Sequence, residues 1–199
     1  TMKVLDAAKK KYNFQVHYPG SGVGGPCLPI NSYQLLNTAR RTGTKLSIIE
    51  SGRKINEKMP QHVVELTSDA FQECNKSIQN SEILILGVSY KPNVKDIQLS
   101  PAEYIIKKFQ NLGANVHIYD PNFSSTEVFG IKVEDNLDDV LSKMDAAVIV
   151  TGHDDFKKIE ISSFAKMKTP ILIDTRGIIE PQSVKQHNII FRGLGRGDF

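Results

Sequence analysis

The sequence predicts an α/β protein in which a helical segment precedes a Rossmann-like open parallel sheet with helices on both faces. From residue 76 onward, short apolar runs alternate with helical patterns, as expected where helices connect neighbouring parallel strands. Residues 33–75 show helical periodicity instead. The composition, with 40% hydrophobic and 24% charged residues among 199, is ordinary for a soluble globular protein.

The first domain, residues 1–75, is expected to contain a short lysine-rich helix, a Gly/Pro loop and a central helical segment. Gly43 and Gly52 interrupt the helical pattern of 33–75, and Pro60 fits the first position of a new helix. Three such helices cannot bury their apolar faces alone, so we expect 33–75 to pack on the next domain or to form a homodimer. Because the chain begins inside a helical pattern, we interpret it as a fragment of a longer protein.

The second domain, residues 76–199, is expected to contain a sheet of five strands. The predicted strands cover 83–87, 115–119, 146–150, 171–174 and 189–192. Helices are predicted at 101–112 and 137–142, the second of them capped by Asp135 or Asn136.

Several classes of function are disfavoured by the composition. A net charge of +3 without a dense Lys/Arg stripe argues against nucleic-acid binding. No apolar stretch approaches the roughly 18 residues that a membrane helix needs. Cys27 and Cys74 stand in different contexts and do not resemble a disulfide framework, so we expect a reducing cytoplasm. No metal site is expected.

The run Gly-Val-Gly-Gly-Pro-Cys-Leu-Pro at 22–29 is the first candidate site. Its glycines permit a close approach of the backbone to a ligand. Cys27 directly precedes a helical pattern, and the positive end of a helix favours the reactive thiolate. We interpret Cys27 as a nucleophile. The alternative is a small buried cysteine that fills a tight loop.

A second candidate site lies at the carboxyl ends of the strands, where ligands bind to open parallel sheets. The turn after the first strand is not a G-x-G-x-x-G turn, so a dinucleotide site of the usual kind is not expected. Asp120 ends the second strand and is either a ribose-binding acid or part of an Asp-Pro turn. Lys91 and Arg176 follow two strands at the same edge, and together they suit a diphosphate. Either Lys91 or Arg176 alone would be interpreted as an ordinary solvated charge.

Taken in order, these segments resemble the nucleotide-sugar 6-dehydrogenases, a superfamily of UDP-glucose, UDP-N-acetylmannosamine and GDP-mannose dehydrogenases. The resemblance is collinear over nearly the whole chain and is carried by the segments 18–29, 55–60, 87–93, 100–101, 119–121, 174–177 and 193–197. It implies an NAD-binding domain that is absent from this chain and that would supply most of the contacts to NAD. It also implies a central dimerisation segment and a C-terminal UDP-binding domain, both of them present here.

The resemblance further implies a role for particular residues. NAD would take a hydride from C6 of a UDP-hexose or UDP-N-acetylhexosamine, and Cys27 would add to the aldehyde as a thiohemiacetal. A second hydride transfer would leave a thioester, which water hydrolyses to the uronic acid. Residues implied to contact the substrate are Tyr18, Gly20, Ser21, Gly22, Gly24 and Lys91. Arg176 and Gln98 are implied to face the cofactor. The fragment alone is expected to be inactive.

Two departures from the family pattern leave a second interpretation open. Asn31 stands where the family has an aspartate that assists proton transfer, and an amide cannot take a proton at neutral pH. Gln98 stands where the family has an arginine. The chain could therefore be a non-catalytic UDP-sugar-binding or dimerisation module. A redox sensor that uses both cysteines is disfavoured because they form no C-x-x-C pair.

Overall fold

A computed structural model of the chain describes residues 1–196. Gly197, the last glycine of the predicted motif 193–197, lies outside the described residues. The helices are α1 Met2–Ala8, α2 Leu28–Arg41, α3 Ser47–Glu73, α4 Pro101–Asn111, α5 Leu137–Leu141, α6 Ile161–Phe164 and α7 Pro181–Lys185. The strands are β1 Glu82–Leu86, β2 Asn115–Tyr119, β3 Glu127–Val128, β4 Ile131–Lys132, β5 Ala146–Ile149, β6 Ile171–Asp174 and β7 Ile190–Gly193.

Five strands form one parallel sheet in the order β2-β1-β5-β6-β7. Each neighbouring pair is parallel, with Ile83 opposite both Val116 and Ala146. The chain moves from β1 to β2 on one side and then crosses to β5 on the other. The carboxyl ends of β1 and β5 therefore flank the point where the strand order reverses, which is where such sheets bind ligands.

The helices lie on both faces of the sheet, and each face has its own apolar core. Alternate strand residues point to opposite sides, so Ile83 and Ile85 pack with α3 and α4, whereas Leu84 and Leu86 pack on the other face. That second face is covered by side chains of α5, α6, α7 and a short 3-10 helix at Phe156–Lys158. The predicted α/β fold is confirmed.

Helix α3 corrects the expectation for 33–75, because that segment contains two helices and not three. Residues Ser47–Glu73 form a single helix that runs through both Gly52 and Pro60. Glycine and proline disfavour a helix interior. Here the second half of α3 buries Val63, Val64 and Phe71 against the sheet, and that burial outweighs the local preference. The predicted domain boundary after residue 75 falls in the connection between α3 and β1.

The other predictions match to within one or two residues at each end. Gly43 follows the end of α2, with φ +73°. The Asn136 side chain accepts a hydrogen bond from the Asp138 amide and caps α5, which decides between the two predicted caps. The sequence patterns do not predict the β3–β4 hairpin, α6, α7 or the 3-10 helix, each of which has only two to five residues.

Candidate functional site

Cys27 lies at the N-terminus of α2, where the sequence placed it. Its thiol is exposed, and the helix behind it has 14 residues with Pro29 in its first turn. The Asn31 amide donates to the Cys27 carbonyl at 2.9 Å, which closes that turn. An exposed thiol at a helix start can react with a ligand, whereas the alternative of a buried filler cysteine does not fit.

Two glycines let the Cys27 loop lie against the loop between β1 and α4. A Cβ on Gly24 would clash with the Leu99 carbonyl, and a Cβ on Gly25 would lie 2.7 Å from Cε2 of Tyr90. Gly25 also has φ +87°, and Leu99 has φ +50°, a value that side-chain-bearing residues rarely adopt. The Gly25 amide donates to the Gln98 carbonyl at 2.9 Å. Predicted site residue Gln98 thus contacts the Cys27 loop through its backbone.

The loop after β6 presents Arg176. Asp174 is fully buried and accepts hydrogen bonds from the amides of Arg176, Gly177 and Ile179 at 2.8–2.9 Å. Burial raises the pKa of the Asp174 carboxyl, and these amide bonds act against that rise. Burial lowers the pKa of the Arg176 guanidinium, and the charge of Asp174 opposes that effect. The guanidinium lies against Gly20, where a Cβ would clash with it.

Arg176 lines two cavities at this edge of the sheet. The smaller, of about 280 Å³, brings together four predicted site residues, which are Tyr18, Gly20, Gly22 and Arg176. The larger, of about 550 Å³, is also lined by Lys157, Arg196 and the acidic residues Asp6 and Glu180. Arg196 donates to the Gly177 carbonyl at 3.0 Å. With Lys3, four cationic side chains and two acidic ones line this cavity, and the excess of positive charge favours a ligand with negative charge.

Lys91 lies at the same edge but lines neither of these cavities; its neighbour Pro92 lines the larger one. The Lys91 side chain is exposed, and its ammonium lies 5.7 Å from the centre of the Tyr90 ring. Because Tyr90 also contacts Gly25, Lys91 and the Cys27 loop flank the same ring. The predicted convergence of Lys91 and Arg176 is therefore seen in their common edge and not in a shared cavity.

Two predicted substrate contacts are buried away from these cavities. Ser21 is 1% exposed, and its hydroxyl has no hydrogen-bond partner among the described residues. Gly24 is buried under Leu99 and Tyr90. A side chain or backbone without exposed surface cannot contact a ligand in this conformation, so both residues shape the loop.

Asp120 belongs to the turn and not to a ligand site. It is 1% exposed, and its carboxylate accepts from the Val88 and Asn122 amides at 2.8 and 2.9 Å and pairs with His153 at 3.1 Å. Burial alone would raise the pKa of Asp120, but the hydrogen bonds from His153 and the two amides outweigh it and lower that pKa. These contacts support the turn alternative and leave no room for a ribose hydroxyl.

His153 continues this network to the loop that carries Lys91. Its Nδ1 accepts from the Asn93 amide at 2.9 Å. The Asn93 side chain donates to Asp154 at 2.7 Å and accepts from the Asp154 amide at 3.1 Å. Asn93 therefore joins the loops after β1 and β5 by three hydrogen bonds at the point where the strand order reverses.

The described residues do not fit a dinucleotide on the first turn of the sheet. The Gly87 amide donates to the Tyr119 carbonyl at 2.9 Å, and the Val88 amide donates to Asp120. These amides are therefore not free to bind a pyrophosphate. Within residues 1–196, no cluster of three His, Cys, Asp or Glu side chains could hold a metal ion. No helix in this range is long and apolar enough to cross a bilayer.

Three residues of this site received no role from the sequence. Tyr90 separates Lys91 from the Cys27 loop, Arg196 adds a cation to the larger cavity, and Asn56 bonds to the backbone of Val23. Asparagine is a poor residue for a helix interior, which marks Asn56 as unusual but does not indicate its partner Val23. Contacts between distant segments have no local signature, which explains the other two.

Family comparisons cover most of the chain. Residues 1–58 match the central domain of the UDP-glucose/GDP-mannose dehydrogenase family, and residues 84–181 match its UDP binding domain. The UDP-N-acetyl-D-mannosamine dehydrogenase of Pyrococcus horikoshii is 35% identical over 98% of this chain and 44% of its own length. A UDP-glucose 6-dehydrogenase of Rhizobium meliloti is 28% identical over 91% of this chain and 42% of its own length.

Solved structures give the same picture. A UDP-D-ManNAc dehydrogenase from Pyrococcus horikoshii has a TM-score of 0.86 at 34% identity, over 100% of this chain and 44% of that one. An NDP-N-acetyl-D-galactosaminuronic acid dehydrogenase from Methanosarcina mazei has a TM-score of 0.88 at 27% identity, over 98% and 44%. The chain thus spans less than half the length of these relatives.

Proposed function

Because the chain belongs to the UDP-glucose/GDP-mannose dehydrogenase family, we propose that it is the central and UDP-binding part of an NAD-dependent UDP-sugar 6-dehydrogenase. The observation that carries the proposal is an exposed thiol at the start of α2, in a loop that also lines the Arg176 cavity at Gly20 and Gly22. The names of the relatives favour a UDP-N-acetylhexosamine, with UDP-N-acetylmannosamine first.

In this proposal the nucleotide diphosphate lies beside Arg176. A guanidinium offers paired N–H donors that match phosphate oxygens, and Gly20 leaves space for it to approach the loop. Lys157 and Arg196 add positive charge to the neighbouring cavity. Lys91 contributes a further cation from the same edge of the sheet.

The sugar end would then extend toward Cys27. The thiolate adds to the C6 aldehyde, so that a C–S bond forms and the former carbonyl oxygen takes up a proton. After the second oxidation the product is a thioester on Cys27, and water releases the acid and the thiol. Asn31, one turn into α2, can orient water by hydrogen bonding but cannot remove its proton.

NAD would supply the hydride acceptor for both oxidations. The turn after β1 does not fit its pyrophosphate, so we assign NAD binding chiefly to residues outside this chain. Gln98 is exposed beside the Cys27 loop and would face the cofactor there with an uncharged side chain. For Arg176 the alternative to the nucleotide diphosphate is the NAD pyrophosphate, which would make it the second residue of this chain that faces the cofactor.

We also propose that the protein is a homodimer through residues 33–75. Large apolar side chains on this segment are exposed, with Ile48 at 89%, Ile55 at 63% and Leu35 at 50%. Such a surface is typical of an interface. Light scattering should give twice the monomer mass, and a strictly monomeric chain would contradict this assignment. We also propose a location in a reducing cytoplasm, because Cys27 and Cys74 stand in sequence contexts that do not resemble a disulfide framework.

Replacing Cys27 by serine in the complete dehydrogenase tests the function. We expect calorimetry to show unchanged binding of the UDP-sugar, while formation of the uronic acid stops. Cys74→Ser is the matched control, because that half-buried thiol lies at the end of α3. Unchanged formation of the uronic acid by the Cys27 variant would contradict the assignment of Cys27 as the nucleophile.

The second candidate is a UDP-sugar-binding or dimerisation module without activity, which Asn31 and Gln98 favour. Turnover separates it from the first candidate: the complete protein would bind a UDP-sugar and reduce no NAD.

A further inference from the structure

We infer that Asn56 of α3 is a positioning residue that holds the Cys27 loop in place for reaction, an assignment that rests on the function proposed above. Asn56 also lines the smaller Arg176 cavity, but the role inferred here is on the loop and not on the ligand. Its action is on the backbone at Val23, four residues before the thiol.

The Asn56 side chain binds both backbone groups of Val23. The Val23 amide donates to Asn56 Oδ1 at 2.7 Å, and Asn56 Nδ2 donates to the Val23 carbonyl at 3.2 Å. A carboxamide has one acceptor and one donor side by side, so it can satisfy both groups at once. Alanine satisfies neither, and a carboxylate offers no donor.

The backbone of Asn56 faces the same loop. Pro60 has no amide hydrogen, so the Asn56 carbonyl lacks its usual donor one turn further along α3. A Cβ on Gly22 would lie 3.4 Å from that carbonyl oxygen and 3.7 Å from Cδ of Pro60. The loop therefore packs on the turn of α3 that contains Pro60.

A second anchor holds the loop on its other side. The Gly25 amide donates to the Gln98 carbonyl at 2.9 Å. The two anchors flank Gly24, and Cys27 follows Gly25 after one proline. Helix α2 begins at Leu28. The backbone at Cys27 is therefore fixed by the two anchors before it and by the helix after it.

This arrangement predicts an effect on the reaction step more than on binding. Attack of a thiolate on a carbonyl requires the reacting atoms to approach to about 3–3.5 Å, and a misplacement of about 1 Å can cost 100-fold. The Arg176 backbone amide donates to Asp174, and this hydrogen bond does not involve Asn56. Loss of Asn56 should therefore lower kcat and leave the affinity for the nucleotide part nearly unchanged.

The test is Asn56→Ala, with Gln61→Ala as the matched control. Gln61 is a half-buried amide on the same helix whose side chain bonds to Glu65 at 3.1 Å. In Asn56→Ala we expect amide exchange of residues 20–27, read by mass spectrometry, to accelerate about tenfold or more, since local opening controls it. In the complete dehydrogenase we expect kcat to fall about 10- to 100-fold, with KM for the UDP-sugar within about threefold. Gln61→Ala should change neither.

Unchanged exchange at 20–27 in Asn56→Ala would overturn the inference, and so would a rise in KM equal to the fall in kcat. If Asn56→Ala does not fold, Asn56→Asp provides the same comparison at nearly identical size, because it keeps the acceptor and loses the donor. Failure of the proposed function is read separately, from uronate output in Cys27→Ser. The exchange measurement does not depend on activity.

Discussion

The ring of Tyr90 occupies the space that a side chain on Gly25 would need. Its Cε2 lies 2.7 Å from the position of a Gly25 Cβ, and Gly25 has φ +87°. The Cys27 loop and the loop that carries Lys91 therefore pack directly on each other. This contact, and not an ion pair, is what relates the two candidate sites.

Gly25→Ala should destabilise the protein by about 1–3 kcal/mol, through backbone strain and the clash with Tyr90. Gly43→Ala is the control, because Gly43 has φ +73° and no atom within 4 Å of its Cβ position. Gly43→Ala should therefore lower the free energy of unfolding only through its unfavourable φ, by about 1–2 kcal/mol. Urea unfolding measures both. Adding Tyr90→Ala to Gly25→Ala should recover the clash energy, and a purely additive double variant would contradict the contact.

Gly52→Ala should stabilise the protein by about 0.5–1 kcal/mol. Gly52 lies inside α3 in an ordinary helical conformation, and nothing lies within 4 Å of its Cβ position. Alanine loses less backbone freedom than glycine on folding, so the helix gains that difference. Thermal unfolding measures the change. A lower Tm would show that the residue is not helical or that the position is covered in the folded protein.

Arg176→Gln should weaken binding of the UDP-sugar about 10- to 100-fold, because a hydrogen bond to a charged group contributes about 1.5–3 kcal/mol. Calorimetry with UDP and with UDP-N-acetylmannosamine measures the loss. Arg40→Gln removes the same charge from α2, where the side chain is 69% exposed. Equal affinities in the two variants would rule out a specific role of Arg176.

Asp120 should make the protein sensitive to acid. Its pKa is lowered in the folded state from the ordinary 3.8. The carboxylate therefore contributes stability that is fully present above pH 3.8 and is lost as the pH falls through the lower folded value. The difference in free energy of unfolding between the natural chain and Asp120→Asn should shrink below that pH. A difference that stays constant as the pH falls well below 3.8 would contradict the shifted pKa.

The sheet could be predicted from the sequence because each buried strand is an apolar run that ends in Gly, Asp or another turn residue. Helix α3 could not, since Gly52 and Pro60 disfavour a helix locally and only burial of Val63, Val64 and Phe71 overrides them. Tertiary packing is invisible in a local pattern.

The candidate site divides in the same way. The position of Cys27 at a helix start follows from its Gly-Pro-Cys-Leu-Pro context, and the edge that carries Lys91 and Arg176 follows from strand order. The bonds from Asn56 to Val23 join residues 33 positions apart. Neither sequence segment alone indicates that such a contact forms, and the same holds for Tyr90 on Gly25.

Asn93 links two loops at the ligand-binding edge of the sheet. Since its amide and side chain bind His153 and Asp154, the backbone two residues after Lys91 is joined to the segment after β5. A ligand that displaces the backbone of this loop should therefore also move the segment that contains His153 and Asp154. Resonances of that distant segment should consequently report occupancy of the edge.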